Sequence, residues 1–306
     1  MSFAIFSDSA CNLPRVQLEE FQVQIIPFSY ERDGMLVPCP PDLEKFDGRE
    51  YYDYLRNGGV VKTSLIPAAR LEEAFRPVLS EGRDILYVTI SSGISGTVAS
   101  GLQAAQSLQE EFPDRQVRVL DSLGAGFGVG LLLGRAADCR KAGMSLEETY
   151  AALEQDRSNL CEFFTVDDLM FLRRTGRVSG VAATLGTMLQ LKPLLRGDET
   201  GHITVFHKVR GRKRAVDALA ELYRKRVRRP EEQRVYLSHG DCLEEAERLA
   251  RMVREAAPPK ELIVSLHEPL TGAHVGPGML ALFFLGDGNG DSVTCCGGIS
   301  PAARFV

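Results

Sequence analysis

Residues 85–97 read Ile-Leu-Tyr-Val-Thr-Ile-Ser-Ser-Gly-Ile-Ser-Gly-Thr, a short apolar run that passes directly into a small polar loop. Ile85–Ile90 has the length and β-branched content of a buried strand. Beyond the loop, Val98, Leu102, Ala105 and Leu108 recur at helical spacing, so Thr97 opens a helix. A strand that feeds a helix through one tight loop is the unit of a parallel sheet with covered faces. The arrangement recurs on either side. Phe3–Phe6 runs into Ser7-Asp8-Ser9-Ala10, Val117–Leu120 runs into Asp121-Ser122, and Ile25–Phe28 is a further strand-length run. Helices fit between them. Leu71, Ala74, Phe75, Val78 and Leu79 follow Pro67, which suits a first turn. Ser145 and Glu148 have capping-box spacing at the start of Leu146, Tyr150 and Leu153.

The second half reads differently. Cys161–Val166, Ile203–Phe206, Val235–Ser238 and Ile263–Leu266 are strand-like, with helices near Val181–Leu191 and over Leu243–Ala257. The expected fold is therefore α/β in two domains. Residues 1–160 form one with a mainly parallel sheet, and residues 161–306 form one with a mixed sheet. From Gly286 the sequence has little periodicity.

Composition narrows the function classes. The chain has 306 residues, 44% hydrophobic and 25% charged, ample for two domain cores. Leu131–Leu133 and its small flanks end at Arg135, far short of the roughly 20 residues that a membrane span needs. Met1-Ser2-Phe3-Ala4-Ile5 has no basic start of a signal peptide. Seven cysteines without a C-x-x-C pair, two of them adjacent at Cys295-Cys296, read as reduced thiols. A cytoplasmic protein without a metal site is expected. The charge of −5 hides an asymmetry, because Arg173–Arg229 holds fifteen Lys/Arg against four Asp/Glu. Such a run is either a solvated face or a surface that meets an anionic partner.

The small polar residues fall where three strands end. In an open parallel sheet, ligands bind outside the carboxyl ends of the strands. The Ser91–Thr97 loop also opens a helix, so Ser95, Thr97 and free backbone N–H groups could cradle a carboxylate or phosphate. Turning the chain and capping the helix would account for the same residues. Two nearby motifs fail. Gly93-Ile94-Ser95-Gly96-Thr97 lacks the final glycine of a nucleophile elbow. Gly124, Gly126, Gly128 and Gly130 miss the dinucleotide-binding spacing, and no Walker loop occurs, so no cofactor is expected.

Taken in order, the motifs resemble those of the DegV family. Phe6-Ser7-Asp8-Ser9-Ala10-Cys11-Asn12-Leu13-Pro14 is similar to its "TDSxxDLP" opening, and Lys62-Thr63-Ser64-Leu65-Ile66-Pro67 to its "TSxPs" segment. Ser91–Thr97 resembles "SSxLSGT", followed by Asp121-Ser122 and a glycine-alternating helix. Val166–Arg177, Leu191-Lys192-Pro193, Lys208-Val209-Arg210-Gly211 and His274-Val275-Gly276-Pro277-Gly278 resemble "vddLxyLkkGGRi", "IKP", "kvRg" and "HxGPG". Thr175, where the pattern has glycine, and Cys11-Asn12, where an acidic pair is more usual, are departures.

The resemblance implies a non-catalytic fatty-acid carrier of two α/β domains. Such proteins present a long-chain fatty acid to a partner fatty acid kinase, which makes acyl phosphate. Carried over by motif, the carboxylate ligands are Thr63, Ser95 and His274, with Ser64, Gly96 and Thr97 in the same segments. Arg177 and Arg210 would face the kinase. A long chain gains about 0.8 kcal/mol per buried CH₂, so roughly fifteen methylenes supply on the order of 12 kcal/mol gross and the head group serves mainly to orient. Candidate tunnel walls are Val181, Leu185, Met188, Leu189, Leu191, Met279, Leu280, Leu282 and Phe283. Two rival readings remain. One is a serine hydrolase with Ser95 as nucleophile, His274 as base and Asp121 as acid. The other is a nucleic-acid binder acting through 173–229, ranked lower because stacking aromatics are not interleaved there.

Overall fold

A computed structural model describes residues 3–178 and 191–289. The first sheet is parallel throughout and ordered β2-β1-β6-β7, from β1 (Ala4–Asp8), β2 (Val23–Ile26), β6 (Ile85–Thr89) and β7 (Val117–Asp121). Strand order reverses between β1 and β6, so the switch-point crevice opens beside Asp8 and Ile90. A three-stranded antiparallel sheet, β4-β3-β5, is an addition that the sequence reading lacked. It comprises β3 (Ser29–Arg32), β4 (Met35–Pro38) and β5 (Val61–Ser64). The third sheet is mixed and six-stranded, ordered β10-β9-β8-β13-β11-β12. Its strands are β8 (Leu160–Thr165), β9 (Leu191–Gly197), β10 (Ile203–Arg210), β11 (Arg234–His239), β12 (Glu261–Leu266) and β13 (Leu280–Leu285). Only β11 and β12 pair in parallel.

Helices fill three layers. α3 (Ala68–Ser80) and α4 (Thr97–Glu111) cover one face of the first sheet. α8 (Arg212–Arg226) and α9 (Leu243–Ala256) cover the outer face of the mixed sheet. Between the sheets lies α5 (Phe127–Lys141), which packs on β1 and β6 on one side and on β8, β11 and β13 on the other, with α6 (Leu146–Asp156) beside it. The shorter helices are α1 (Arg15–Glu20), α2 (Gly48–Arg56), α7 (Met170–Arg174) and α10 (Pro269–Val275).

Period-2 alternation divides the core as the pleat requires. Phe3, Ile5, Leu86 and Val88 face the α5 layer, whereas Ala4, Phe6, Ile85 and Tyr87 face α3 and α4. In the mixed sheet, Tyr236, Ala281 and Phe283 face α5, and Val235, Leu237, Leu280 and Leu282 face α8 and α9. Because both sides of α5 are covered, every residue from Phe127 to Gly134 is buried, as expected of a helix without a polar face. Its glycines admit side chains from both neighbours. A Cβ on Gly130 would lie 2.8 Å from Leu13, and one on Gly128 would lie 1.4 Å from the Glu162 carboxyl.

A polar clasp joins the halves of the chain. Asn12 holds a left-handed φ of 60°, which Asn tolerates. Its Oδ1 accepts from Glu268 N at 2.7 Å, and its Nδ2 donates to the Leu266 carbonyl at 3.1 Å. Tyr51 and Tyr52 hydroxyls donate to the carbonyls of Pro269 and His267. The clasp thereby fixes the start of α10, whose first N–H groups are capped by the Glu268 carboxyl. Burial raises the acids here, Asp8 to about 6 and Glu268 to about 7, and lowers His267 to about 3.

Two outcomes follow from this packing. Gly128→Ala should destabilise the protein, because an overpacking cost of about 1–3 kcal/mol exceeds the gain of about 1 kcal/mol from a helical Gly→Ala change. Glu162→Ala should restore part of the loss, and urea titrations of the two single variants and the double variant would reveal that coupling. The pH dependence has a definite sign. A raised acid stabilises the fold at low pH and loses that contribution as pH rises through its folded value. The lowered His267 contributes fully above its ordinary value of 6.5. Glu162, which burial raises to about 8, adds a third such acid, so between about pH 7 and 8.5 the acids dominate the slope and stability should fall across that window. A rise in the urea midpoint there would contradict it.

Candidate functional site

A cavity of about 430 Å³ lies between the two main sheets, in the size range of small-molecule sites. Its walls come from distant parts of the chain: Thr63–Leu65 at the end of β5, Ile94–Gly96 before α4, Leu123–Ala125 before α5, and His274 and Val275 in α10. Phe28, Ile90, Phe164, Leu172, Ile203, Leu270, Met279, Ala281 and Phe283 make most of the remaining surface apolar.

Three of the expected carboxylate ligands share this cavity. Thr63 reaches it from β5, which pairs with β3 at Tyr30. Its Oγ1 lies 2.8 Å from His274 Nε2. The His274 ring has a buried Nδ1 that meets no hydrogen-bond partner. Burial first, then the nearby charges of Arg177 and Arg174, lower His274 to about 4, so the ring is neutral at neutral pH. Ser95 comes from the opposite wall. Its Oγ lies 2.9 Å from Thr97 Oγ1 and accepts from Thr97 N at 3.3 Å. Ser95 thus both meets the first N–H of α4 and lines the cavity. Thr97 is fully buried and absent from the cavity wall, where it positions Ser95. Ser64 and Gly96 line the mouth, and Gly96 is the residue preceding α4, whose dipole favours an anion there.

The loop is held by the other half of the molecule. Ser91 Oγ donates to the Gly201 carbonyl in the β9–β10 turn at 3.0 Å, and a Cβ on Gly93 would lie 2.5 Å from that same backbone. This contact was not legible from spacing, since residues 91 and 201 share no motif. The same holds for two cavity residues that the sequence reading passed over, Glu162 and His267. A lone acid within the strand-like run Cys161–Val166 was the only available signal for Glu162.

Several expected positions fall elsewhere. Leu280 and Leu282 lie behind the mixed sheet against α8 and α9, because alternation sends only Met279, Ala281 and Phe283 to the cavity side. Leu191 begins β9 and is not a wall residue. Val181, Leu185, Met188, Leu189 and Cys295-Cys296 lie outside the described residues. Arg177 is half-buried and lines the cavity, its Nε 3.4 Å from the Ile94 carbonyl. Arg210 is exposed at the end of β10, away from the cavity wall.

Ser95 and His274 share no hydrogen bond, since His274 Nε2 meets Thr63 and Ser95 Oγ meets Thr97. The Asp121 carboxylate instead accepts from Ser92 N and Leu123 N. The links of a Ser-His-Asp triad are thus not assembled. Part of the basic stretch is paired. Arg212 pairs with Glu245 and Asp167, Lys192 with Asp167, Arg224 and Lys225 with Glu221, and Arg226 is buried against the Gly288 carbonyl. Among the described residues, no group of three or more His, Cys, Asp or Glu side chains is placed to hold a metal. Among them too, no helix is long and apolar enough to cross a membrane.

Known proteins share both sequence and fold. The family model described as "Uncharacterised protein, DegV family" matches residues 2–287. A DegV domain-containing protein of Clostridium perfringens is 37% identical over 285 residues, covering 93% of this chain and 98% of its own length. A DegV family protein from Thermus thermophilus, described for its fatty acid binding, superposes with a TM-score of 0.84 at 29% identity, over 94% of this chain and 100% of that one. DegV of Bacillus subtilis, described as a fatty acid binding protein, gives 0.80 at 26% identity, over 94% and 99%. With the motifs in order, the sheets in place and the match running from residue 2 to residue 287, the chain belongs to the DegV family.

Proposed function

We propose that this protein binds a long-chain fatty acid and presents its carboxylate to a partner kinase, which phosphorylates it to an acyl phosphate. The observation that carries the first half is the cavity itself: an apolar chamber with Thr63, Ser95 and His274 brought to it from three segments. Hydroxyls and a neutral imidazole offer donors that orient a carboxylate, while the apolar walls take the chain. Fatty acid binding described for the Thermus thermophilus and Bacillus subtilis structures supports the same reading. The protein acts here as a carrier, and a cytoplasmic place of work suits a kinase that uses ATP. Arg210, exposed at the end of β10, and Arg177, beside His274, would meet the kinase and its anionic substrates.

Protein purified from cells and opened by organic extraction should yield stoichiometric fatty acid. Preparations that carry none and take up none would overturn the reading. Thr63→Val and Ser95→Ala should each weaken fatty-acid binding by about 1.5–3 kcal/mol, roughly ten- to a hundredfold, the scale of a hydrogen bond to a charged group. Binding of the methyl ester should be nearly insensitive to both changes. For the kinase step, Arg210→Glu should slow acyl-phosphate formation by the host's fatty acid kinase while leaving fatty-acid content unchanged. Equal rates would remove Arg210 from the partner surface.

A further inference from the structure

Glu162 stands where the pleat calls for an apolar residue. It lies on β8 in the row that faces α5, between Leu160 and Phe164, and its cross-strand neighbour is Phe283. Leu160 and Phe283 are buried in the core, and Phe164 and Phe283 line the cavity. Glu162 lines it too, and only 7% of its surface is exposed. One carboxyl oxygen, Oε1, accepts from Ala125 N at 3.3 Å. Among the described residues, Oε2 meets no hydrogen-bond donor, and it keeps a little open surface toward the cavities that Glu162 borders.

Space has been cleared for this carboxyl. A Cβ on Gly128 would lie 1.4 Å from Oε1 and one on Gly124 would lie 2.3 Å from it, so two of the alternating glycines make room for Glu162. A carboxyl so nearly buried, with one oxygen open only to a cavity, is costly unless water or a ligand group meets that oxygen. Holding the end of α5 through Ala125 N explains Oε1 and leaves Oε2 without a purpose.

The position within the cavity is also informative. Leu123, Glu162 and Gly197 border a second cavity on the far side, whose wall includes Arg157, Asp198 and Thr200 and none of Thr63, Ser95 or His274. Glu162 therefore marks a second polar point in the acyl chamber, apart from the carboxylate ligands. We propose that Glu162 reads a hydroxyl group carried on the acyl chain, so that the protein prefers hydroxylated fatty acids to plain ones. Burial alone raises Glu162 to about 8, so at neutral pH it is largely the uncharged acid, able both to donate to and to accept from a hydroxyl. An uncharged acid also spares the fatty-acid chain a buried negative charge.

The inference rests on the fatty-acid reading above, and one experiment separates the two. Delipidated protein is offered equimolar octadecanoic acid and octadecanoic acids bearing one hydroxyl at increasing distances from the carboxyl, and native mass spectrometry reads the bound ratio. At the matching position the hydroxylated acid should be favoured by about ten- to a hundredfold. Glu162→Leu should abolish or reverse that preference, and Glu162→Gln, which keeps a donor and an acceptor, should retain most of it. Glu162→Gln also guards against a Glu162→Leu protein that does not fold. Plain and hydroxylated acids bound equally by the wild-type protein would overturn the role of Glu162 and leave the carrier reading intact. No acid bound at all would overturn both.

Discussion

Two sheets can share one helix only if that helix lets side chains from both approach its axis. Chain segments on either side of α5 meet this demand with glycine: Gly130 admits Leu13 from the parallel-sheet half, and Gly128 admits Glu162 from the mixed sheet. The Phe127 ring stacks on Tyr236 at 4.5 Å and meets Phe283 edge-on, so large and small residues interleave around the same turn. A helix with so many glycines has little intrinsic helical stability, and its propensity cost is offset by burial on every side. The distance between the sheets, and with it the width of the chamber at the N-terminal end of α5, is set by this contact.

Once that spacing is fixed, the remaining site geometry is a matter of tying loops across it. The parallel sheet supplies the Ser91–Thr97 loop, which the β9–β10 turn anchors through Ser91 and Gly201. In the other direction, Asn12, Tyr51 and Tyr52 hold the backbone of Leu266–Pro269, and this aims α10 so that His274 reaches Thr63. Each half of the chain thus positions a cavity-lining residue belonging to the other. A change in the clasp would move His274 without touching the cavity, and a change at Gly201 would move Ser95 in the same manner.

Much of this was legible in the sequence, and the reasons differ by element. β1, β6 and β7 were legible because continuous apolar runs ending in small polar residues have few other readings. α6 was announced by Ser145 and Glu148, whose reciprocal capping bonds form. β3, β4 and β5 were missed because four-residue strands with mixed burial, such as Met35–Pro38, carry no strong periodicity. That Thr63, Ser95 and His274 share one cavity is consistent with the ordered motifs, whereas Glu162 was not legible, since the space it fills is left by Gly124 and Gly128, which a linear reading sets against a nucleotide-binding pattern. Strand parity corrected the wall itself: Leu280 and Leu282 are as apolar as Met279 and Phe283, and only the pleat separates them. Part of the basic run is paired by acids that lie outside it, as Glu245 and Asp167 pair with Arg212, which a count along the run cannot show.

The head-group site has a further physical logic under the proposed function. A guanidinium paired with the carboxylate would bind it more tightly, but would also withdraw electron density from the oxygen that must attack a phosphoryl group. Thr63, Ser95 and a neutral His274 hold the carboxylate with hydrogen bonds alone and leave its charge largely intact. Burial above all, and then the nearby Arg177 and Arg174, keep the His274 ring uncharged, and the two arginines add a diffuse positive field. Weak direct pairing at the head is compatible with retention, because the buried chain supplies most of the binding free energy. The division of labour therefore assigns affinity to the walls and reactivity to the polar end. A carrier whose ligand must react while still bound requires both.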